Sequence, residues 1–233
     1  MIRVSHIGIE ETFVKELCSS KKFKQMDKTF KQSMQPMLKR MEIRYKRKGE
    51  KLGYDKLDSE ETRPFIMSSI DTYHPISGLI SKLVSYRNFL REHPHYVGRI
   101  VLIQFVGSIV QAFDDEEDHN QNVNTIKTMR LQILAERDRI HQEFGPDCLI
   151  FEESNPPLEK RLTLWSNSDI ILCSSLKDGL CIQVLEYVVC RKLCNKFNQS
   201  IMVCSEFAGC NEAMRGVIKY NPFSNTGFGE ALD

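Results

Sequence analysis

Asp169-Ile170-Ile171-Leu172-Cys173-Ser174-Ser175-Leu176-Lys177-Asp178-Gly179-Leu180-Cys181-Ile182-Gln183-Val184-Leu185-Glu186-Tyr187 reads as a strand, a turn and a helix in immediate succession. The opening run is apolar, rich in β-branched residues and too short for a helix. Asp178-Gly179 marks a tight turn, in which glycine permits backbone dihedrals closed to other residues. The helix that follows starts with free N–H groups, which suit hydroxyls or phosphates. Glu186 stands eight positions beyond Asp178, about two helical turns along and on roughly the same face. There its carboxylate can accept hydrogen bonds from a ribose or sugar diol. Spacing alone leaves a surface Asp-Gly turn with a solvated glutamate open as well, because strand-turn-helix units occur throughout α/β proteins.

The same alternation runs along the rest of the chain. Phe65-Ile66-Met67-Ser68-Ser69-Ile70 reads as a strand, and Leu79, Ile80, Leu83, Val84, Tyr86, Phe89 and Leu90 recur at helical spacing up to Pro94. Arg99-Ile100-Val101-Leu102-Ile103-Gln104-Phe105-Val106 is an almost unbroken apolar run, of the kind buried on both faces of a parallel sheet. The acidic cluster Asp114-Asp115-Glu116-Glu117-Asp118 precedes a helical pattern through Ile126, Met129, Ile133, Leu134 and Ile140, and is read as helix capping rather than a metal site. Further strands are expected at 148–151, 200–205 and 216–220, with a helix at 157–167. The pattern predicts βαβ units in a Rossmann-like, doubly wound, mainly parallel α/β sheet, with ligands at the carboxyl ends of its strands.

Residues 21–56 differ in character, with Lys21-Lys22-Phe23-Lys24 and Arg44-Tyr45-Lys46-Arg47-Lys48 and few β-branched residues. They read as a basic insertion, partly helical and solvated. An adaptor role on RNA or an anionic surface, with Phe30, Tyr45 and Tyr54 among the cations, is the other reading. The formal charge of the 233-residue chain is only +1, which argues against nucleic acid. Three divisions follow: a junction segment at 1–20, the basic insertion at 21–62 and the sheet domain at 63–233. No apolar run approaches the ~20 residues of a membrane span, and no signal peptide is visible. The eight cysteines form no Cys-x-x-Cys pair and do not group with the six histidines. Buried free thiols in a cytoplasmic protein are expected, with no metal.

Several segments carry a resemblance. Lys177-Asp178-Gly179-Leu180-Cys181-Ile182-Gln183-Val184-Leu185-Glu186-Tyr187 resembles the Arg-Asp-Gly-Met-Asn-Leu-x-x-x-Glu-Tyr motif of trehalose-6-phosphate synthases, the family 20 glycosyltransferases of GT-B fold. Ile7-Gly8-Ile9, the stretch from Glu92-His93-Pro94 to Gln104, Ser205-Glu206-Phe207-Ala208-Gly209-Cys210, and Gly216-Val217-Ile218-Lys219-Tyr220-Asn221-Pro222-Phe223 are similar to other segments of that family, in order. The Gly-Cys ending is closest to plant-type class II members. The resemblance implies the C-terminal, donor-binding half of an enzyme that moves glucose from UDP-glucose to glucose 6-phosphate, with retention and without a metal or other cofactor. It implies that the backbone of Asp178, Gly179, Leu180, Cys181 and Ile182 holds glucose and diphosphate, and that Glu186 holds the ribose.

The departures set the functional expectation. Active members carry Gly-Val-Asp-Arg-x-Asp-x-x-Lys-Gly, whose Arg and Lys clamp the diphosphate. Here the run is Ser69-Ile70-Asp71-Thr72-Tyr73-His74-Pro75-Ile76-Ser77-Gly78, with Thr72 and Ser77 in place of the cations. Each lost charge-assisted bond is worth about 1.5–3 kcal/mol, and Cys181 replaces the motif asparagine. His74 reads as a packed or solvated loop histidine rather than a substitute cation. Nothing in the chain corresponds to the family's acceptor-binding N-terminal half. The expectation is a degenerate synthase-like domain, non-catalytic alone, with no catalytic residue of its own and a regulatory or binding role or survival as a fragment. Its expected partners are UDP-glucose, bound weakly, and a full-length synthase or N-terminal half. The alternative is the donor half of an active glucosyltransferase.

Overall fold

The computed structural model describes residues 9–51, 63–107, 116–224 and 226–232. Its elements in order are α1 (Glu11–Ser19), α2 (Lys21–Lys51), β1 (Phe65–Thr72), α3 (Leu79–Glu92), β2 (Ile100–Gly107), α4 (Glu116–Phe144), β3 (Leu149–Glu152), α5 (Leu158–Asn167), β4 (Ile170–Cys173), α6 (Ile182–Leu193), β5 (Ile201–Ser205), α7 (Cys210–Ala213), β6 (Ile218–Tyr220) and α8 (Gly227–Leu232). The strands form one parallel sheet in the order β3-β2-β1-β4-β5-β6. The chain builds outward from β1 to β3, then crosses back to set β4 on the other side of β1. Such a reversal leaves a crevice between the first and fourth strands, at their carboxyl ends.

The sheet forms because its strands bury both faces. Every residue of β2 is buried. Val101, Ile103 and Phe105 join Ile66, Ile171 and Met202 on one face, under α1, α2, α5 and α6. Ile100, Leu102 and Val106 join Met67, Leu172 and Val203 on the other, under α3, α4 and α8. The strands and helices expected from sequence are present with small shifts of boundary. Cys148 belongs to a 3-10 turn before β3, and β6 begins at Ile218 rather than Gly216. Ile7, Gly8, Tyr54, Asp114, Asp115 and the side chains of Glu116, Glu117 and Asp118 lie outside the described residues.

The reading of residues 21–56 as a solvated excursion is corrected. Residues Lys21–Lys51 are a helix whose Phe23, Met34, Met37 and Met41 are buried in the same core as α5 and β2. Polar clamps fix its register. Asp27 accepts from Asn167 Nδ2 at 2.7 Å, Lys22 pairs with Glu159 at 2.7 Å, and Arg40 donates to Asp147 at 2.9 Å. The charge that dominates this stretch in sequence lies on the outward side of a helix that closes one face of the sheet. Met41→Ala is therefore expected to cost about 2–5 kcal/mol, against at most about 0.5 kcal/mol for exposed Lys39→Ala. Urea unfolding of both variants checks this; equal, small effects would return α2 to the solvent.

Candidate functional site

The loops that leave β1 and β4 meet at the crevice between those strands. A cavity of about 670 Å³ opens there, lined by Asp71, Thr72, His74, Ile76 and Ser77 from the first loop and by Cys173, Ser175, Lys177, Asp178, Cys181 and Ile182 from the second. Gln183 and Glu186 of α6 and Asn155, Pro156 and Arg161 complete its wall. The two segments singled out in sequence are thus brought together. Gly78 makes this possible. It has φ +69°, it precedes α3, and a Cβ on it would sit 2.0 Å from the Ser174 carbonyl oxygen. Ser174 Oγ donates to the Ser77 carbonyl at 2.9 Å, and Leu176 N–H to the Ile76 carbonyl at 2.8 Å, tying the loops across the crevice.

The turn before α6 differs from expectation in one respect. Gly179 is not in the left-handed region, and a Cβ there would meet nothing within 4 Å. The left-handed residue is Cys181, with φ 52° and ψ 64°. Asp178 imposes this shape: its Oδ1 accepts the N–H groups of Leu180 and Cys181, each at 3.1 Å, and its carbonyl accepts the Gly209 N–H at 2.9 Å. Two of the backbone donors expected to serve a ligand are therefore engaged by Asp178. The Ile182 and Gln183 N–H groups, at the start of α6, are open to a ligand.

Charge in the cavity is largely paired. Asp71 accepts from the buried Lys82 Nζ and from Gln104 Nε2 at 2.9 Å, so its carboxylate is held below the loop. Ser77 is buried and its Oγ accepts the Leu79 N–H at the start of α3. His74 Nδ1 accepts the Ile76 N–H at 3.2 Å, which fits the expected loop histidine. Glu186 reaches the wall, but Arg161 grips both of its oxygens and Trp165 Nε1 donates to Oε2 at 3.2 Å. A carboxylate offers about four lone-pair positions, so three donors leave Glu186 room for one more. Arg161 and Lys177 were not among the residues assigned from sequence. Lys177 is exposed and, among the described residues, makes no ion pair.

Thiols floor the site. Cys173 Sγ lies 3.0 Å from Cys181 Sγ and 3.3 Å from Ser175 Oγ. All eight cysteines are free, but Cys18, Cys173 and Cys194 are half-buried rather than buried as expected. Donation from Cys181 and Cys204 holds the Cys173 thiol well below its usual value and, likewise, brings Cys210 down to about 4, while Cys181 and Cys204 are pushed up by the same partners. A separate group joins Cys18, Cys190 and Cys194 beside α1. At the opposite ends of the strands a larger cavity, about 980 Å³, lies between α2 and β1, with Arg63, Arg191 and Lys196 among its walls.

Gly78→Ala places a side chain in a strained conformation and against backbone, and is expected to cost at least about 1–3 kcal/mol. Gly179→Ala, with open space around it, is expected to be nearly neutral. Thermal unfolding of the two variants side by side checks the order; a reversal would mean that the β4 loop, not the β1 loop, carries the conformational constraint.

The family model for glycosyltransferase family 20 matches residues 54–233. The UDP-forming alpha,alpha-trehalose-phosphate synthase of Candida albicans is 26% identical over 167 residues, covering 72% of this chain and 33% of its own length. The UDP-forming synthase B of Dictyostelium discoideum is 30% identical over 162 residues, covering 70% of this chain and 20% of its own. A UDP-forming synthase from Burkholderia xenovorans, solved in complex with glucose-6-phosphate, superposes with a TM-score of 0.70 at 17% identity, covering 97% of this chain and 42% of that one. The chain thus spans a third or less of these curated relatives. Among the described residues no helix is long and apolar enough to cross a membrane. On the match over most of its length, the chain belongs to glycosyltransferase family 20.

Proposed function

We propose that the chain is a trehalose-6-phosphate-synthase-like donor domain that binds UDP-glucose weakly and does not transfer glucose by itself. Its role is regulatory or binding, alongside a full-length synthase or an N-terminal half. The observation that carries this reading is the cavity at the β1–β4 crevice, which joins both motif-bearing loops yet places no cation at Thr72 or Ser77. A diphosphate there would meet the first N–H groups of α6 and the Lys177 ammonium. The N–H groups of a helix start favour anions, but two charge-assisted bonds worth about 1.5–3 kcal/mol each are missing.

The lost contacts matter more for transfer than for binding. The leaving diphosphate gains charge as the glycosidic bond breaks, so fixed cations act most strongly in the transition state. A GT-B site is also a cleft that closes between two halves and excludes water. These 233 residues correspond to two fifths of the Burkholderia xenovorans chain, so closure would need further sequence from the same or another polypeptide. Arg161 does not replace the missing clamp, because Glu186 neutralises it.

Calorimetric titration tests this. UDP-glucose is expected to bind in the millimolar range, about −4 kcal/mol. Thr72→Arg, at a half-exposed position on the cavity wall, is expected to tighten it about tenfold. A coupled UDP-release assay with glucose 6-phosphate is expected to show no trehalose 6-phosphate. Submicromolar binding or product formation would overturn the degenerate reading; no binding even in Thr72→Arg would overturn the donor reading.

A further inference from the structure

Four cysteines that stand apart in sequence converge beside the cavity. Cys173 ends β4, Cys181 precedes α6, Cys204 is the ladder partner of Cys173, and Cys210 opens α7. The Cys173 and Cys181 sulfurs are 3.0 Å apart, and a carboxylate oxygen of Asp178 lies within 4.8 Å of both. Among the described residues this is the one group of three such side chains close enough to share an ion. From this geometry we infer that Cys173, Cys181 and Asp178 form a binding site for a zinc-class cation, with its fourth position open to the cavity.

The donor set and its support both fit. Zinc takes thiolate sulfur at about 2.3 Å and carboxylate oxygen at about 2.0–2.2 Å, and tetrahedral angles then set the ligands some ~3.5–3.8 Å apart. Side-chain adjustments of about 1 Å bring the three atoms to that spacing. Two sulfurs select zinc or another thiophilic ion over magnesium or calcium. Asp178 is held in place as a ligand should be, since the Leu180 and Cys181 N–H groups fix its carboxylate through Oδ1. Its carbonyl is tied to Gly209, so the turn does not need to reorganise on binding. Cys204 and Cys210, which meet Cys173 and Cys181 respectively, are fully buried. All three ligands line the cavity, which leaves the fourth position to water or to an oxygen of a bound ligand. Three protein ligands and one open position are the pattern of zinc centres that meet exogenous groups. The resemblance implies a metal-free transfer reaction, so the ion would share the cavity with the proposed donor site without serving that chemistry.

The test uses the reduced, full chain and cobalt(II) as an optical probe, then zinc in competition. One equivalent of cobalt is expected to give a sulfur-to-metal charge-transfer band and the intense visible bands of a tetrahedral centre, both displaced by zinc. Cys173→Ser combined with Cys181→Ser is expected to abolish the charge-transfer band, and Cys18→Ser, in the other thiol group, to leave it unchanged. In the unmodified chain, zinc is expected to protect Cys173 and Cys181 from alkylation, read by peptide mass spectrometry, with a chelator restoring reactivity. This last measurement needs no variant to fold. Absence of the band, its survival in the double variant, or unprotected Cys173 and Cys181 at saturating zinc would each overturn the site and leave the four thiols as core packing.

Discussion

Asp169 joins the two halves of the sheet. Its N–H donates to the Ile66 carbonyl at 2.8 Å, and its carboxylate accepts the Ile66 N–H at 2.9 Å and the Arg63 guanidinium at 2.7 Å. Met67 and Ser68 then pair with Ile170 and Ile171, and the central strands run out in parallel. Every feature of the candidate site depends on this pairing. It sets the loops after β1 and β4 side by side, the close approach of Gly78 to Ser174 fixes their separation, and the Asp178 turn aims the start of α6 into the space between them. A ligand site at this reversal of strand order is what the topology of a doubly wound sheet provides.

The chemistry of the cavity is set by what its charged groups already hold. Lys82 is buried against Asp71, and the partly exposed Arg161 pairs with the buried Glu186. Breaking the buried Lys82–Asp71 pair by removing one partner costs roughly 3–5 kcal/mol, and Glu186 is held by three donors, so these groups belong first to the fold. What remains for an anion is the helix start and the exposed Lys177. A diphosphate bound there, as proposed, would meet backbone donors more than side-chain charge.

The sheet was legible in sequence because burial on both faces writes an apolar run such as 100–106, and because the Asp178-Gly179 turn follows a short β-branched strand. The docking of α2 was not read, although Met34, Met37 and Met41 carry helical spacing; the surrounding lysines and arginines masked it. Glycine at 179 suggested the left-handed position, yet that conformation falls on Cys181, where the Asp178 carboxylate gathers the Leu180 and Cys181 N–H groups and the Asp178 carbonyl is tied to Gly209. The same holds for the Arg161–Glu186 pair, which joins two helices, and for the thiols. Cysteines from β4, the turn before α6, β5 and α7 meet only because the parallel ladder sets Cys173 beside Cys204.

The central claim is that the β1 and β4 loops form one nucleotide-sugar pocket. Amide chemical-shift mapping of the isotope-labelled chain during titration with UDP-glucose tests it most directly. The account predicts saturable shifts confined to residues 71–78 and 174–186. Shifts that instead cluster at the far ends of the strands, around Arg63, Arg191 and Lys196, would contradict it.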